Sequence, residues 1–487
     1  MKVILLLLLI FTSEVSQAQY NFFKTYFKPS HERAFSAVEM PDGSFLLAGE
    51  IQQSGYNDVN EGYLVKLTSM GEVVQSKIIN PVNSTRLCLL LPCQFENASY
   101  ICIGSSDSLA GDDFYGNKIF YAIDDNLNIL FSKQFGYKYN YLNYPWQYKM
   151  ENDSTMYLLS DNIRINQNNS LERFVDVVKY RLPFDSLLSY TSPNYAIVGD
   201  LLLKSNDTIL DLYLFPSNRR ITLDENLQYL QTSNYPIDFR SNICTTLLDE
   251  NGYLIVGEYA DPSTGNDELG CLKMDNNDAP IDSLIYNPSE DTSFYAGARE
   301  NTAINGNFIY IAGFYNVNAM WFPYNYNPSW VTITKADLNM NMISTHFYGG
   351  DAQYCPYSII PTSDGGVFVT GYSYDYINNL PNNNYELDIF ALKTDADGLI
   401  TELPDQAKAH DAIIYPNPGI EFLNIQSGPQ ISGAEFYLFD VNGKAVIAEK
   451  ITNTLLNVNT AYLPSGTYPW QIVFKNKVIE SGKWVKN

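Results

Sequence analysis

A chain of 487 residues has room for two or three folded units, and 45% hydrophobic residues against 17% charged supply buried cores and not the composition of disorder. Its formal net charge of −24 repels phosphate backbones and anionic headgroups alike. No basic patch in the sequence offsets it, so nucleic acid and acidic membrane surfaces are poor partners.

The N-terminus reads as a signal peptide over residues 1–18. Lys2 gives the positive start, Val3 to Phe11 the apolar stretch, and Ser16-Gln17-Ala18 the small-x-small cleavage site. No later run reaches the about 20 apolar residues of a membrane helix, so export without a transmembrane segment is expected. Six cysteines, Cys88, Cys93, Cys102, Cys244, Cys271 and Cys355, would enter an oxidising compartment. Cys88, Cys93 and Cys102 lie close enough in sequence for one local pair, but spacing does not give the connectivity.

Residues 19–400 are repetitive. Seven stretches share one pattern, an alternating strand, a turn and a strand that often closes on glycine: "MPDGSFLLAGE", "CQFENASYICIGS", "KMENDSTMYLLSD", "LKSNDTILDLYLF", "LDENGYLIVGEY", "AINGNFIYIAGFY" and "PTSDGGVFVTGYS". Their closing positions, Gly49, Gly104, Ser160, Phe215, Gly257, Gly313 and Gly371, lie 42 to 58 residues apart. Asp42-Gly43, Asn251-Gly252, Asn305-Gly306 and Asp364-Gly365 supply the positive φ that a tight hairpin turn requires. A second strand pair follows in most units, as in "GYLVKLTSMGEVVQSKII" and "WVTITKADLNMNMISTHF", making four strands per unit.

Four antiparallel strands repeating every 40 to 60 residues or so, about the period of propeller blades, predict an all-β fold with a seven-bladed β-propeller over 19–400. "FFKTYFK", close to the mature N-terminus, matches the outer strand that the last unit, "LDIFALKTDADGLITELP", lacks, so the two chain ends are expected to close the ring. The repeats resemble the DGGF blades of secreted bacterial propellers, a loose group related to kelch-like arrays. They lack the double glycine and paired aromatics of kelch units, and "PTSDGGVF" lacks the Thr-Trp of a sialidase-type Asp box, so neither activity is implied.

Residues 401–412, "TELPDQAKAHDA", read as a polar linker. After it, short alternating strands with Asn442-Gly443 as a hairpin predict a small Ig-like β-sandwich over 413–487. This segment carries Tyr415-Pro416-Asn417-Pro418, "LNI" at 423–425, "FDVNGKAV" with Gly443 and Lys444, then Leu463, "SGTY" with Gly466 and Tyr468, and finally Gly482, Lys483 and Lys486. In that order the motifs resemble the C-terminal sorting domain, type A, of type IX secretion cargo. The resemblance implies export to the periplasm, passage across the outer membrane with the type IX machinery as partner, and a passenger released or held at the cell surface. Terminal lysines on an acidic protein then read as part of a recognition strand, or as charges that discourage edge pairing. Pro469 departs from the family's apolar strand; proline donates no ladder bond, so an edge or bulged strand is expected there.

The propeller carries fewer chemical signals. His31, His346 and His410 are scattered, and neither HExxH nor GxSxG occurs. Asp395 and Asp397 in "KTDADGLI", and Asp275, Asn276, Asn277 and Asp278 in "MDNNDAP", offer hard oxygens for calcium, but neither set has a distal bidentate acid, so no metal and no cofactor is expected. "NAMWFPYNYNPSW" gathers Trp321, Tyr324, Tyr326 and Trp330 among asparagines, an inventory suited to a glycan or a protein surface and equally to contacts between blades. Two functions stay open. One is a secreted or cell-surface binding or adhesion protein; the other is an extracellular glycoside hydrolase or lyase using two carboxylates in the propeller channel.

Overall fold

A computed structural model describes residues 21–400 and 412–487, apart from segments at 27–29, 53–59, 80–83, 96, 111–112, 139, 166–169, 183, 193–196, 205–208, 216–217, 237–238, 249–251, 289–291, 317–327, 376–385, 428–432, 441–443, 453–454 and 475–476. The signal peptide, residues 401–411 of the linker and Gly443 therefore lie outside the described residues. The described residues form strands and turns and no helix, and none is long and apolar enough to cross a membrane as a helix. The chain divides into two compact units, Met1–Thr401 and Glu402–Asn487.

The first unit is built from seven separate antiparallel sheets. Six are meanders in chain order, spanning 31–79, 84–138, 140–191, 197–234, 239–286 and 294–349. The seventh takes Gln353–Pro361, Val367–Tyr374 and Leu387–Thr394 in order and completes itself with Phe22–Tyr26, which pairs with Leu387–Thr394 from Phe22↔Lys393 to Tyr26↔Ile389. Burial follows the strand order. Val367–Tyr374 and Leu387–Thr394 are buried at every position, whereas the outermost strand Val73–Ile79 is mostly exposed. Strands buried on both faces lose simple polar alternation, which is why the inner repeats read as continuous apolar runs.

Neighbouring sheets share cores, and the last core joins the seventh sheet to the first. Phe22, Phe368 and Ile389 pack with Phe45, Leu47 and Tyr63, the rings of Phe45 and Phe368 stacked 4.1 Å apart. Each sheet is thus held on two sides, and the circle has no open flank.

Two turn types recur. In the first, between strands one and two, Gly43 N donates to Met40 O at 2.9 Å with Gly43 at φ 77°, and Pro41 precedes it. Only the glycine of Asp42-Gly43 and Asp364-Gly365 has positive φ, so these are three-residue turns with a left-handed closing residue and not two-residue I′ turns. In the second, directly after strand three, an aspartate Oδ1 accepts the N–H groups two and four residues on, as Asp124, Asp224, Asp275, Asp337 and Asp395 all do. The residue three after the aspartate adopts positive φ, glycine at 398 but Leu127, Leu227, Asp278 and Met340 elsewhere.

The second unit has a three-stranded sheet, Ala412–Tyr415, Phe422–Ser427 and Leu455–Asn459, and a four-stranded sheet ordered Ala445–Lys450, Glu435–Phe439, Gly466–Phe474, Lys477–Lys486. Leu423 and Ile425 of the first share one core with Phe436, Leu438, Ile472 and Trp484 of the second. The strand holding Pro469 is interior, not an edge. Its ladder to Glu435–Phe439 begins only at Trp470, so Pro469 sits just past the end of that ladder, where no N–H is required of it.

Candidate functional site

The innermost strands of all seven sheets contribute to one cavity of about 770 Å³, which lies on the axis of the ring. Its wall is about equally apolar, with Val38, Leu90, Leu202 and Ile360, and polar, with Thr245, Thr302, Gln147, Lys149 and Glu300. Lys149 Nζ donates to Thr245 O at 3.2 Å, and Ser358 Oγ donates to Glu300 Oε2 at 2.7 Å. Burial pushes the Glu300 carboxyl above its ordinary range, against the Ser358 hydrogen bond and the Lys149 and Arg299 charges that pull it down. Asp200 is buried beside them, but its oxygens are committed: Oδ1 accepts Leu201 N at 2.7 Å, and Oδ2 accepts both the N–H and the hydroxyl of Thr245.

Glu300 and Arg299 reach the axis because the innermost strand of the sixth sheet is interrupted. Phe294–Ala296 and Thr302–Asn305 both pair with Phe308–Tyr315, while the residues between them turn to the seventh sheet. There Ala298 N donates to Pro356 O at 2.9 Å, Glu300 N to Tyr357 O at 3.0 Å, and Ile359 N to Glu300 O at 2.8 Å. Asn301 Nδ2 secures the excursion through Gly297 O and Asn242 O.

From that excursion Arg299 extends across the axis. Its guanidinium lies 4.5 Å from the Trp146 ring centre, 5.2 Å from Phe35 and 5.9 Å from Tyr357, and Nη1 donates to Cys88 O at 3.2 Å. Those partners stand on the innermost strands of sheets three, one, seven and two. Sequence reasoning missed Arg299 and Glu300. The available signal was "AGARENTAINGN", two charges beside a glycine where the other units carry an unbroken first strand.

Of the aromatic cluster, Trp321, Tyr324 and Tyr326 lie outside the described residues. Trp330 opens the strand Trp330–Asp337, half-buried, its ring 6.1 Å from that of Tyr315. The residues weighed for calcium serve other contacts: Asp275 and Asp395 cap turns, Asp397 pairs with Lys335 at 3.1 Å, and Asp278 pairs with Lys204 and Arg220. None of the six cysteines is in a disulfide, so the local pair among Cys88, Cys93 and Cys102 does not form.

In the second unit the quoted motifs converge. The Tyr415-Pro416 and Asn417-Pro418 bonds are cis. Pro416 O accepts Trp484 Nε1 at 2.8 Å, Asn417 bridges Lys483 O and Val485 N, and Gly419 N donates to Val485 O at 2.8 Å. Gly419 lies against the Trp484 ring, where a Cβ would fall 2.7 Å from Cζ2, and Gly482 lies equally close to Trp470. Lys486 is buried, its ammonium on Ile420 O, while Lys483 is exposed. Tyr468 donates to Pro464 O at 2.8 Å, and Lys444 N to Asp440 Oδ1 at 2.9 Å. Gly466 starts the strand that pairs with the final one.

Residues 413–487 match the family described as secretion system C-terminal sorting domain. The tail is that of type IX cargo, which implies export by the type IX pathway to the cell surface or beyond it. Solved structures are similar at low identity. A Lactobacillus plantarum protein shares 10% identity at a TM-score of 0.41, over 85% of this chain and 98% of its own. The β-propeller domain of Cps50 (Swd1) from Myceliophteria thermophila shares 8% at 0.39, over 72% and 96%. PorZ, described as an essential bacterial surface component of the type IX secretion system of Porphyromonas gingivalis, shares 9% at 0.26, over 93% and 81%. No curated protein matches the chain.

Proposed function

We propose that the first unit is a seven-bladed β-propeller of the DGGF type, the second an Ig-like sandwich, and the whole a secreted or cell-surface binding protein. Signal peptide 1–18 takes it to the periplasm, and the sorting tail hands it to the type IX machinery. The observation that carries the binding reading is the axial cavity: one concave space whose wall is about equally polar and apolar, with several convergent polar groups, suits a small polar ligand or a glycan. Trp321, Tyr324, Tyr326 and Trp330 are assigned to ligand contact. The hydrolase or lyase reading is not favoured, because Asp200 is occupied by three donors and Glu300 by Ser358.

Deleting residues 413–487 tests the route. Retention of the truncated protein inside the cell supports it, and unchanged appearance outside refutes it. A glycan and surface-protein binding screen with Trp321→Ala and Trp330→Ala tests the loop; binding equal to the parent removes it.

A further inference from the structure

At the end of the ring away from the cavity the innermost strands carry a cationic group. Arg33 on the first sheet and Arg86 on the second lie near the starts of their innermost strands, away from the cavity formed by residues 37–39 and 90–92 of the same strands. Each guanidinium is stacked on an aromatic ring, Arg33 on Tyr372 at 5.2 Å and Arg86 on Tyr144 at 5.0 Å. Among the described residues their ion pairs share one acid, Glu50, at 3.4 Å from Arg33 and 2.6 Å from Arg86. The Asn60 carboxamide, turned oxygen-inward, adds an acceptor 2.7 Å from Arg86 Nη2.

Arg299 lies beneath them. It stacks 5.2 Å from Phe35, two residues on from Arg33, and donates to Cys88 O, two residues on from Arg86, so it stands next to both on the same innermost strands. Arg299 is 7% exposed, forms no ion pair among the described residues, and its Nε has no hydrogen-bond partner. Glu50 is shared by Arg33 and Arg86, and the acid next to Arg299 is Glu300, whose carboxyl burial pushes toward its neutral form, so the three guanidiniums carry more positive charge than these acids offset. Stacking on a ring fixes a guanidinium's plane and leaves its N–H edge to meet two oxygens of an oxyanion. Arg33 and Arg86 are reachable, their side chains 37% and 33% exposed.

We propose that this end of the ring is an oxyanion subsite, formed by Arg33, Arg86 and Arg299, that takes a carboxylate or sulfate group of an acidic glycan. The choice of glycan rests on the binding reading above; the oxyanion chemistry does not.

The test is calorimetric titration of the mature full-length protein at low ionic strength with a galacturonate trisaccharide, a sulfated disaccharide, a neutral trisaccharide, acetate and inorganic sulfate. The parent binds the acidic probes, and Arg33→Gln and Arg86→Gln each weaken them by about tenfold or more, the loss of a charge-assisted hydrogen bond. Arg299→Met removes the innermost donor, and the two outer variants decide the matter if it does not fold. Binding of sulfate and acetate with no saccharide bound keeps the subsite and removes the glycan reading. No binding of any anion, or binding unchanged in both outer variants, overturns the subsite.

Discussion

Asn417 holds the last strand of the chain at Val485, its Oδ1 accepting the Val485 N–H at 2.9 Å while its Nδ2 donates to the neighbouring Lys483 O at 2.9 Å. One side chain thus joins the start of the sorting domain to its end. Asn417→Ala removes both bonds and leaves a strand carbonyl and amide to water, so the tail loses about 1–2 kcal/mol of stability. Urea unfolding followed through the buried Trp484 measures it. Asn417→Asp, which keeps the acceptor and loses the donor, falls between the two.

The lysines of the final strand separate by role. Lys486 is buried on Ile420 O, so Lys486→Ala destabilises the tail. Lys483 is exposed, and Lys483→Ala leaves the unfolding curve unchanged. If the basic strand is read by the secretion machinery, Lys483→Ala lowers the exported fraction without lowering stability. Export equal to the parent assigns recognition elsewhere in the tail.

What the sequence displays depends on how local the cause is. The all-β character and the four-stranded units follow from residue alternation and from turn residues such as Asp364-Gly365, which act within a few positions. The sorting tail is legible because its motifs are short, contiguous and ordered. Arg299 is not, since its position depends on residues 297–301 leaving one sheet for another, a choice settled by Pro356 and Tyr357 far along the chain. The second turn type hides for a different reason. Its left-handed position holds Leu127, Leu227 or Met340 where glycine would be sought, and the capping aspartate offsets the strain of a bulky residue there. Lys486 looks like a surface charge in sequence and is a buried donor in the fold.

Stability depends on pH through Glu258. Burial, reinforced by the charge of Asp267, pushes its carboxyl from 4.5 to about 7, against the Ser241 hydrogen bond and the Arg240 charge. The folded state therefore holds this proton more tightly than the unfolded chain. Stability is fully present below the unfolded value of 4.5 and falls as pH rises toward about 7. Glu258→Gln removes the titration, so its thermal midpoint is flatter across that window and exceeds the parent's above it. A parent midpoint that rises between those values contradicts the assignment.

Thiol chemistry offers an independent check on the cores. Cys88, Cys102, Cys244, Cys271 and Cys355 are buried, and burial pushes Cys244 and Cys355 up to about 12 and Cys102 and Cys271 higher still. The thiolate is the reactive form, so these sites are slow toward alkylating reagents in the folded protein. Mass spectrometry after brief alkylation shows modification at the half-exposed Cys93, and at all six after unfolding without reductant. A native disulfide would lower the second number by two.

A lysine on the third strand ties several sheets to the next. Lys273 Nζ donates to Leu338 O at 2.6 Å, Lys66 to Asp125 O at 3.2 Å, Lys179 to Glu225 O at 3.4 Å, and Lys335 to Asp397 at 3.1 Å. Each acceptor lies in the aspartate-capped turn of the following sheet, so the cap that shapes the turn also aims a carbonyl, or at Asp397 a carboxylate, at the neighbour. The four bonds are not equal. That of Lys273 is short and partly buried, and Lys273→Met, which keeps the apolar stem, costs about 1.5–3 kcal/mol, the range for a hydrogen bond to a charged group. That of Lys66 is long and exposed, and Lys66→Met costs under about 1 kcal/mol because water replaces the lost partner. Urea unfolding of the two variants compares them directly. If they destabilise equally, burial is not what gives the contact its strength.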